Sequence, residues 1–169
     1  NKIDYKTLYG SWAGAFGFFQ FMPSTMKNYA IDHDKNNYID LKNNNDAYAS
    51  AANYLSKIGW KDDQPCFYKI NLSKEIPKRY LNASAKNLHD KKKLKYFRKY
   101  ILNSNILDEK FDSLTASIIT PDKDIIPDAE NLNPAYIVFD NYEIILKWNR
   151  SLRFSLAVCT LKDKFLNEL

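Results

Sequence analysis

The sequence predicts an α+β domain that is mainly α, on three observations. Apolar residues recur at helical spacing around 23–30, 47–58, 86–101, 142–148 and 151–166. The stretch Pro65-Cys66-Phe67-Tyr68-Lys69-Ile70-Asn71-Leu72 alternates as a strand does, and 113–126 reads as a second short strand or loop closed by Pro121 and Pro127. At 169 residues the chain has the length of one domain and can bury a core without disulfide staples.

Composition narrows the class. With 45% hydrophobic, 27% charged and 15% aromatic residues, the chain is neither a disordered tail nor a fibre. No run approaches the roughly 18 to 20 apolar residues that a membrane span needs. The opening NKIDYKTLYGS carries no Met, no signal pattern and no lipidation cysteine, so the expectation is a chain cut from a longer precursor. The formal charge is +5. Its excess gathers in Lys86, Lys91, Lys92, Lys93, Lys95, Arg98 and Lys99, inside one polar segment, which reads as a solvated face or a general attraction for polyanions and not as a nucleic-acid site. Cys66 and Cys159 are too few for a zinc site or a disulfide framework. Cys159 sits in an apolar helical pattern and is expected to be a buried thiol, a Cys66 to Cys159 bridge being the alternative in an oxidising compartment.

Residues 10–60 organise the chain. From Ser11 the small residues Ala13, Gly14, Ala15 and Gly17 are interleaved with Trp12, Phe16, Phe18, Phe19 and Phe21, the pattern of backbone packed close to a ligand or a neighbouring helix. Gln20 is the one polar side chain between Ala13 and Pro23, so it is expected to be a buried hydrogen-bond hub or to face a polar ligand. Met22-Pro23-Ser24-Thr25 starts a helix that stops near Ala30.

Directly after it, Asp32, Asp34 and Asn36 at alternate positions, a backbone carbonyl at Tyr38, and Asp40 match the first nine positions of an EF-hand calcium loop. Ile39 falls where such a loop sends an apolar residue inward. Asn37 replaces the usual glycine but tolerates a left-handed backbone, and Asn43 replaces the closing Glu. Asp46 is placed to complete the cage if the loop is longer, or to cap the next helix, 47–58, which ends at Gly59. An ion-free Asn/Asp-rich turn is the competing reading. Tyr54 is a core aromatic or part of a ligand wall.

These residues carry a resemblance. Ser11-Trp12-Ala13-Gly14-Ala15-Phe16-Gly17 followed by Gln20-Phe21-Met22-Pro23-Ser24 resembles the GSxAGAxGxxQFMPS signature of the membrane-bound lytic murein transglycosylase B family. The similarity continues through the Asp-rich loop, Ala52-Asn53-Tyr54-Leu55 and Gly59-Trp60. It resumes in Pro134-Ala135-Tyr136, Phe139-Asp140-Asn141-Tyr142 and Ile145-Leu146-Lys147-Trp148-Asn149-Arg150-Ser151.

The resemblance implies a lysozyme-like domain, 1–169, as the C-terminal part of a catalytic domain. Within it 10–60 holds the glycan groove and calcium loop, 61–133 is a variable strand-bearing lobe, and 134–169 supplies helices returning to the core. The implied reaction is non-hydrolytic cleavage of the MurNAc-GlcNAc β-1,4 bond of peptidoglycan, leaving 1,6-anhydromuramyl ends. A single Glu serves as acid and then base, and the muramyl C6 hydroxyl replaces the second carboxylate of ordinary glycosidases. None of Glu75, Glu109, Glu130, Glu143 or Glu168 occupies the family's catalytic motif, so that Glu is expected upstream of residue 1.

By the resemblance Ser11, Gln20, Tyr54, Trp148 and Asn149 match substrate-binding or acid-supporting positions, with Trp148 and Phe154 standing where the family has tyrosines. Asp32, Asp34, Asn36, Tyr38 and Asp46 match the Ca2+ ligands. The expected location is the periplasm of a Gram-negative cell, with possible outer-membrane association. Peptidoglycan strands are the expected partner and cell-wall synthesis or remodelling proteins a further one. A non-catalytic peptidoglycan-binding module and a calcium-stabilised interaction module are the alternatives.

Overall fold

The structure, a computed structural model, describes residues 10–122 and 134–168. Chain contacts divide it into two compact units, 1–60 and 61–169.

In the first unit the apolar 10–21 stretch has no regular helix or strand. It folds on itself through turn hydrogen bonds and a bridge in which Phe16 N–H donates to Phe21 O at 2.9 Å and Phe21 N–H returns to Phe16 O at 2.8 Å. Proline then opens α1, Pro23–Tyr29, where its missing N–H is not needed. Helix α2 is Asn44–Lys57, and it begins earlier than expected. Its N-cap is Asn43, whose side chain accepts from Asn45 N–H at 2.8 Å. Asp46 is therefore not the cap; it lies inside the first turn, fully buried. Gly59 ends the helix at φ 107°, a conformation that costs glycine little. Asn53 and Ser50, on α2, reach back to Tyr29 O and Ile31 N–H and fix the start of the Asp-rich loop against the helix.

The second unit is built on a five-stranded sheet. Its path runs β1 (Phe67–Ile70), β5 (Ala135–Val138), β4 (Thr115–Ile119), β2 (Leu81–Asn82), with β3 (Lys92–Lys93) also paired to β4. β5 is antiparallel to both neighbours, Tyr68 facing Ile137 and Ile118 facing Ile137, while β2 runs parallel to β4. Ile70, Tyr80, Leu94, Phe97, Ile118, Ile137 and Phe139 fill its core. β1 and β4 fall in the two stretches read as strands; β5 had no such signal. Helices α4 (Asp140–Trp148) and α5 (Leu152–Glu168) follow and pack on each other.

Two expectations are corrected here. The 86–100 stretch, whose apolar spacing predicts a helix carrying the basic residues, is not one helix: only α3, Leu94–Phe97, and a 3-10 turn at Arg98–Tyr100 are helical. Lys92 and Lys93 pair instead with Ala116 and Thr115, after a left-handed Asp90 at φ 54°. The apolar spacing nevertheless marked the buried residues, Leu94, Phe97 and Ile101. Cys159 is buried but is not a free thiol; it is bonded to Cys66 across a Cα separation of 6.0 Å, tying α5 to the chain just before β1. Pro127 and Glu130 lie outside the described residues.

Candidate functional site

Between Phe16 and Phe21 the chain must reverse in four residues, and Gly17 makes this feasible. Its φ is +76°, and a Cβ there would stand 2.5 Å from Leu41 Cβ and 2.6 Å from Leu41 O. Phe18 N–H donates to that same carbonyl at 2.9 Å, so the turn is pressed against the segment that follows the Asp-rich loop.

Gln20 closes the turn at φ 52°, a region that a side chain of this size seldom occupies and that is retained mostly where the surroundings demand it. Of the two expectations for Gln20 the buried hub fails: the residue is exposed, because the reversal turns it out of the core while Phe16 and Phe21 turn in. One amide hydrogen donates to Gly17 O at 2.8 Å, which fixes the group's orientation. The side chain is exposed, and an amide carries an acceptor and a second donor hydrogen besides the one used here. Ser11, also exposed, uses Oγ to accept from Ala15 N–H at 3.0 Å. Exposed apolar side chains accompany them in this stretch: Trp12 is entirely solvent-accessible and Phe18 is over half exposed.

Behind the turn, Tyr54 is half-buried between Phe21 and Tyr29, at ring centroid distances of 5.7 and 4.9 Å. Burial pushes its hydroxyl pKa up, with a smaller contribution from Tyr29. It packs as an aromatic between these two rings.

The Asp-rich loop brings Asp32, Asp34 and Asp46 together, with one carboxylate oxygen of each within 4.8 Å of the others. Backbone amides curl the loop around them. Asp32 accepts from Asn36 and Asn37 N–H, and Asp46 accepts from His33 N–H at 2.8 Å and Asp40 N–H at 2.9 Å. Asn37 takes the left-handed turn, at φ 71°, as its position in the pattern requires. Asn36 Oδ1 accepts from Tyr38 N–H, and Asp40 turns its carboxylate to Lys42 N–H. The inward apolar anchor is Leu41, 3% exposed, more than the half-buried Ile39. Three carboxylates this close repel by on the order of 1 to 4 kcal/mol per pair, a cost that an oxygen-seeking divalent cation removes.

In the second unit, Trp148 is half-buried at the end of α4 and Asn149 is the exposed C-cap, with its N–H donating to Ile145 O at 3.0 Å. Phe154 is 40% exposed. Sequence reasoning gave no role to two buried amides. Asn141 Nδ2 donates to Lys61 O and Gln64 O while its Oδ1 accepts from Lys61 N–H, so α4 holds the chain at the start of this unit. Asn82 does likewise for Tyr80 O, Ile118 O and the His89 backbone.

The Gln20 turn, the aromatic ring of Tyr54 behind it and the carboxylate cluster make up the candidate site of the first unit. Comparison with known proteins gives the family. The Transglycosylase SLT domain family matches residues 1–163, and the chain belongs to that family. It is 48% identical over 62 residues to the membrane-bound lytic murein transglycosylase B of Escherichia coli K12, a match covering 36% of this chain and 17% of that protein. Among solved structures it resembles SltB3 of Pseudomonas aeruginosa in complex with NAG-NAM-pentapeptide, at TM-score 0.79 and 32% identity over 95% of this chain and 41% of the other. It also resembles the E. coli lytic transglycosylase Slt35 in complex with calcium, at TM-score 0.66 and 25% identity, covering 91% of this chain and 45% of that one. The fold is that of the lysozyme-like lytic transglycosylases, and the chain spans less than half the length of these relatives.

Proposed function

We propose that this chain is the substrate-holding part of a peptidoglycan lytic transglycosylase, which cleaves the MurNAc-GlcNAc β-1,4 bond and leaves 1,6-anhydromuramyl ends. The observation that carries the reading is the Gln20 turn. An amide held in a left-handed turn, oriented by Gly17 O and open to solvent, is pre-set to hydrogen-bond a sugar without reorganisation. Ser11, Tyr54, Trp148 and Asn149 are the further substrate contacts in this reading.

The general acid is assigned to a Glu outside this stretch of chain. Described carboxylates of the first unit lie in the Asp-rich loop, where backbone amides already occupy them. The loop is read as a structural Ca2+ site, held by Asp32, Asp34 and Asp46, with Asn36 and the Tyr38 carbonyl completing the set. The calcium complex of Slt35 and the convergence of three carboxylates support this. Bound there, the ion would offset the carboxylate repulsion and stiffen the backbone that carries Leu41, against which the Gln20 turn rests.

The periplasm is the proposed location. A disulfide fits an oxidising compartment, and the E. coli relative is named membrane-bound. Among the described residues no helix is long and apolar enough to cross a membrane. In the intact enzyme, Gln20→Ala should lower turnover of peptidoglycan at least tenfold while moving the melting midpoint little. Unchanged turnover would remove Gln20 from the site.

A further inference from the structure

A pocket of the second unit lies beside α4. Glu143, Leu146 and Lys147, at i, i+3 and i+4 on α4, line this pocket of 240 Å³ together with Arg150, just past the helix end, and with Lys86, Asn87 and Leu88. Its floor is apolar, since Leu88 and Leu146 are 4% and 7% exposed. Its one carboxylate, Glu143, is neutralised by Lys91 at 2.5 Å. Lys86, Lys147 and Arg150 are exposed, and among the described residues none of them makes an ion pair.

A cation in the last turn of a helix complements the helix dipole, which would account for Lys147 alone. It does not account for Lys86, which comes from another segment to the same cavity. Three positive charges, from the 86–88 segment, the last turn of α4 and the residue pair beyond it, line one pocket with an apolar floor, as an anion site requires. The volume is below the roughly 300 to 1,000 Å³ of pockets that enclose whole ligands, so it admits a group and not a strand. Asn87 offers both a donor and an acceptor, the complement of a peptide unit.

From this geometry we infer that the pocket takes a carboxylate-bearing end of the peptidoglycan stem peptide. The inference rests on the reading that the protein acts on peptidoglycan. A guanidinium and two ammonium groups hold the carboxylate, while Leu88 and Leu146 receive the small side chain next to it.

The test is calorimetric titration of the protein with free stem pentapeptide, with the same peptide amidated at its carboxyl groups, and with inorganic phosphate. The acid form should bind, the amide at least tenfold more weakly, and the K86A/K147A variant at least tenfold more weakly than wild type. Lys147→Glu should abolish binding, and melting midpoints should show that both variants remain folded. Equal binding of acid and amide, or binding indifferent to these variants, overturns the assignment. Competition by phosphate as strong as by the peptide would make this a general anion site and overturn the ligand class. Cleavage of peptide-free glycan strands, measured in parallel, reports on the transglycosylase reading alone, so the two ideas fail separately.

Discussion

Replacing Gly17 by alanine probes the turn on which the site is built. A Cβ at this position would overlap Leu41 Cβ at 2.5 Å and Leu41 O at 2.6 Å, and the φ of +76° is one that alanine resists. The left-handed conformation costs about 1 to 2 kcal/mol, and forcing a methyl into packed backbone typically about 1 to 3 more. Alanine's stiffer unfolded chain returns about 0.4 to 1 kcal/mol. The net loss is therefore roughly 1 to 4.6 kcal/mol, or about 2 to 18 °C in melting midpoint for a chain of this size. Thermal unfolding followed by circular dichroism measures the loss. Hydrogen exchange at the Phe18 amide, which donates to Leu41 O, localises it. A variant that loses less than about 0.5 kcal/mol and keeps full Phe18 protection would refute the close approach and with it the fixed geometry of Gln20.

Removing the Cys66–Cys159 bond, which joins residues 93 apart, should lower stability by about 2 to 5 kcal/mol, read as a shifted denaturant midpoint with and without reductant. No shift would mean that the cross-link constrains nothing. Millimolar calcium should raise the melting midpoint over that in chelator, and Asp34→Asn should reduce the rise, whereas equal melts would remove the ion from the loop. Asp46→Ala should destabilise by about 1 to 3 kcal/mol even in chelator, because the His33 and Asp40 amides lose their acceptor. Burial raises the Tyr142 pKa, its hydroxyl donating to Leu152 O at 2.7 Å. The unfolded chain therefore ionises first, so this stabilisation is complete below about pH 10 and is lost as pH rises toward the folded value. Tyr142→Phe should be less stable at neutral pH by about 1 kcal/mol yet show a shallower decline above pH 10, and parallel profiles would contradict it.

What could be read from the sequence was whatever local chemistry settles. The Asp-rich loop is specified by oxygen spacing and by a residue, Asn37, that accepts a left-handed backbone, and its carboxylates converge as the pattern implies. α1 starts at its proline, and α4 and α5 follow their apolar periodicity. What was missed depends on partners distant in sequence. β5 is buried on all its neighbours, so its short apolar run lacks alternation. Lys92 and Lys93 join a strand because Thr115 and Ala116 are opposite, a fact no window around residue 92 contains. One expectation placed Gln20 inside because its neighbours are apolar, yet a reversal within four residues sends adjacent side chains to opposite sides. The roles of Asn82 and Asn141 are likewise fixed by backbone groups far along the chain, including Ile118 O and Lys61 O.

The central claim is that residues 10–60 and the C-terminal helices serve non-hydrolytic glycan cleavage. Muropeptide analysis of peptidoglycan digested with the intact enzyme, wild type and Gln20→Ala, addresses it directly. Wild type should release fragments ending in 1,6-anhydromuramic acid, and the variant at least tenfold less of the same product. Fragments with reducing muramic acid ends, or no release by a folded wild-type enzyme, would contradict the account.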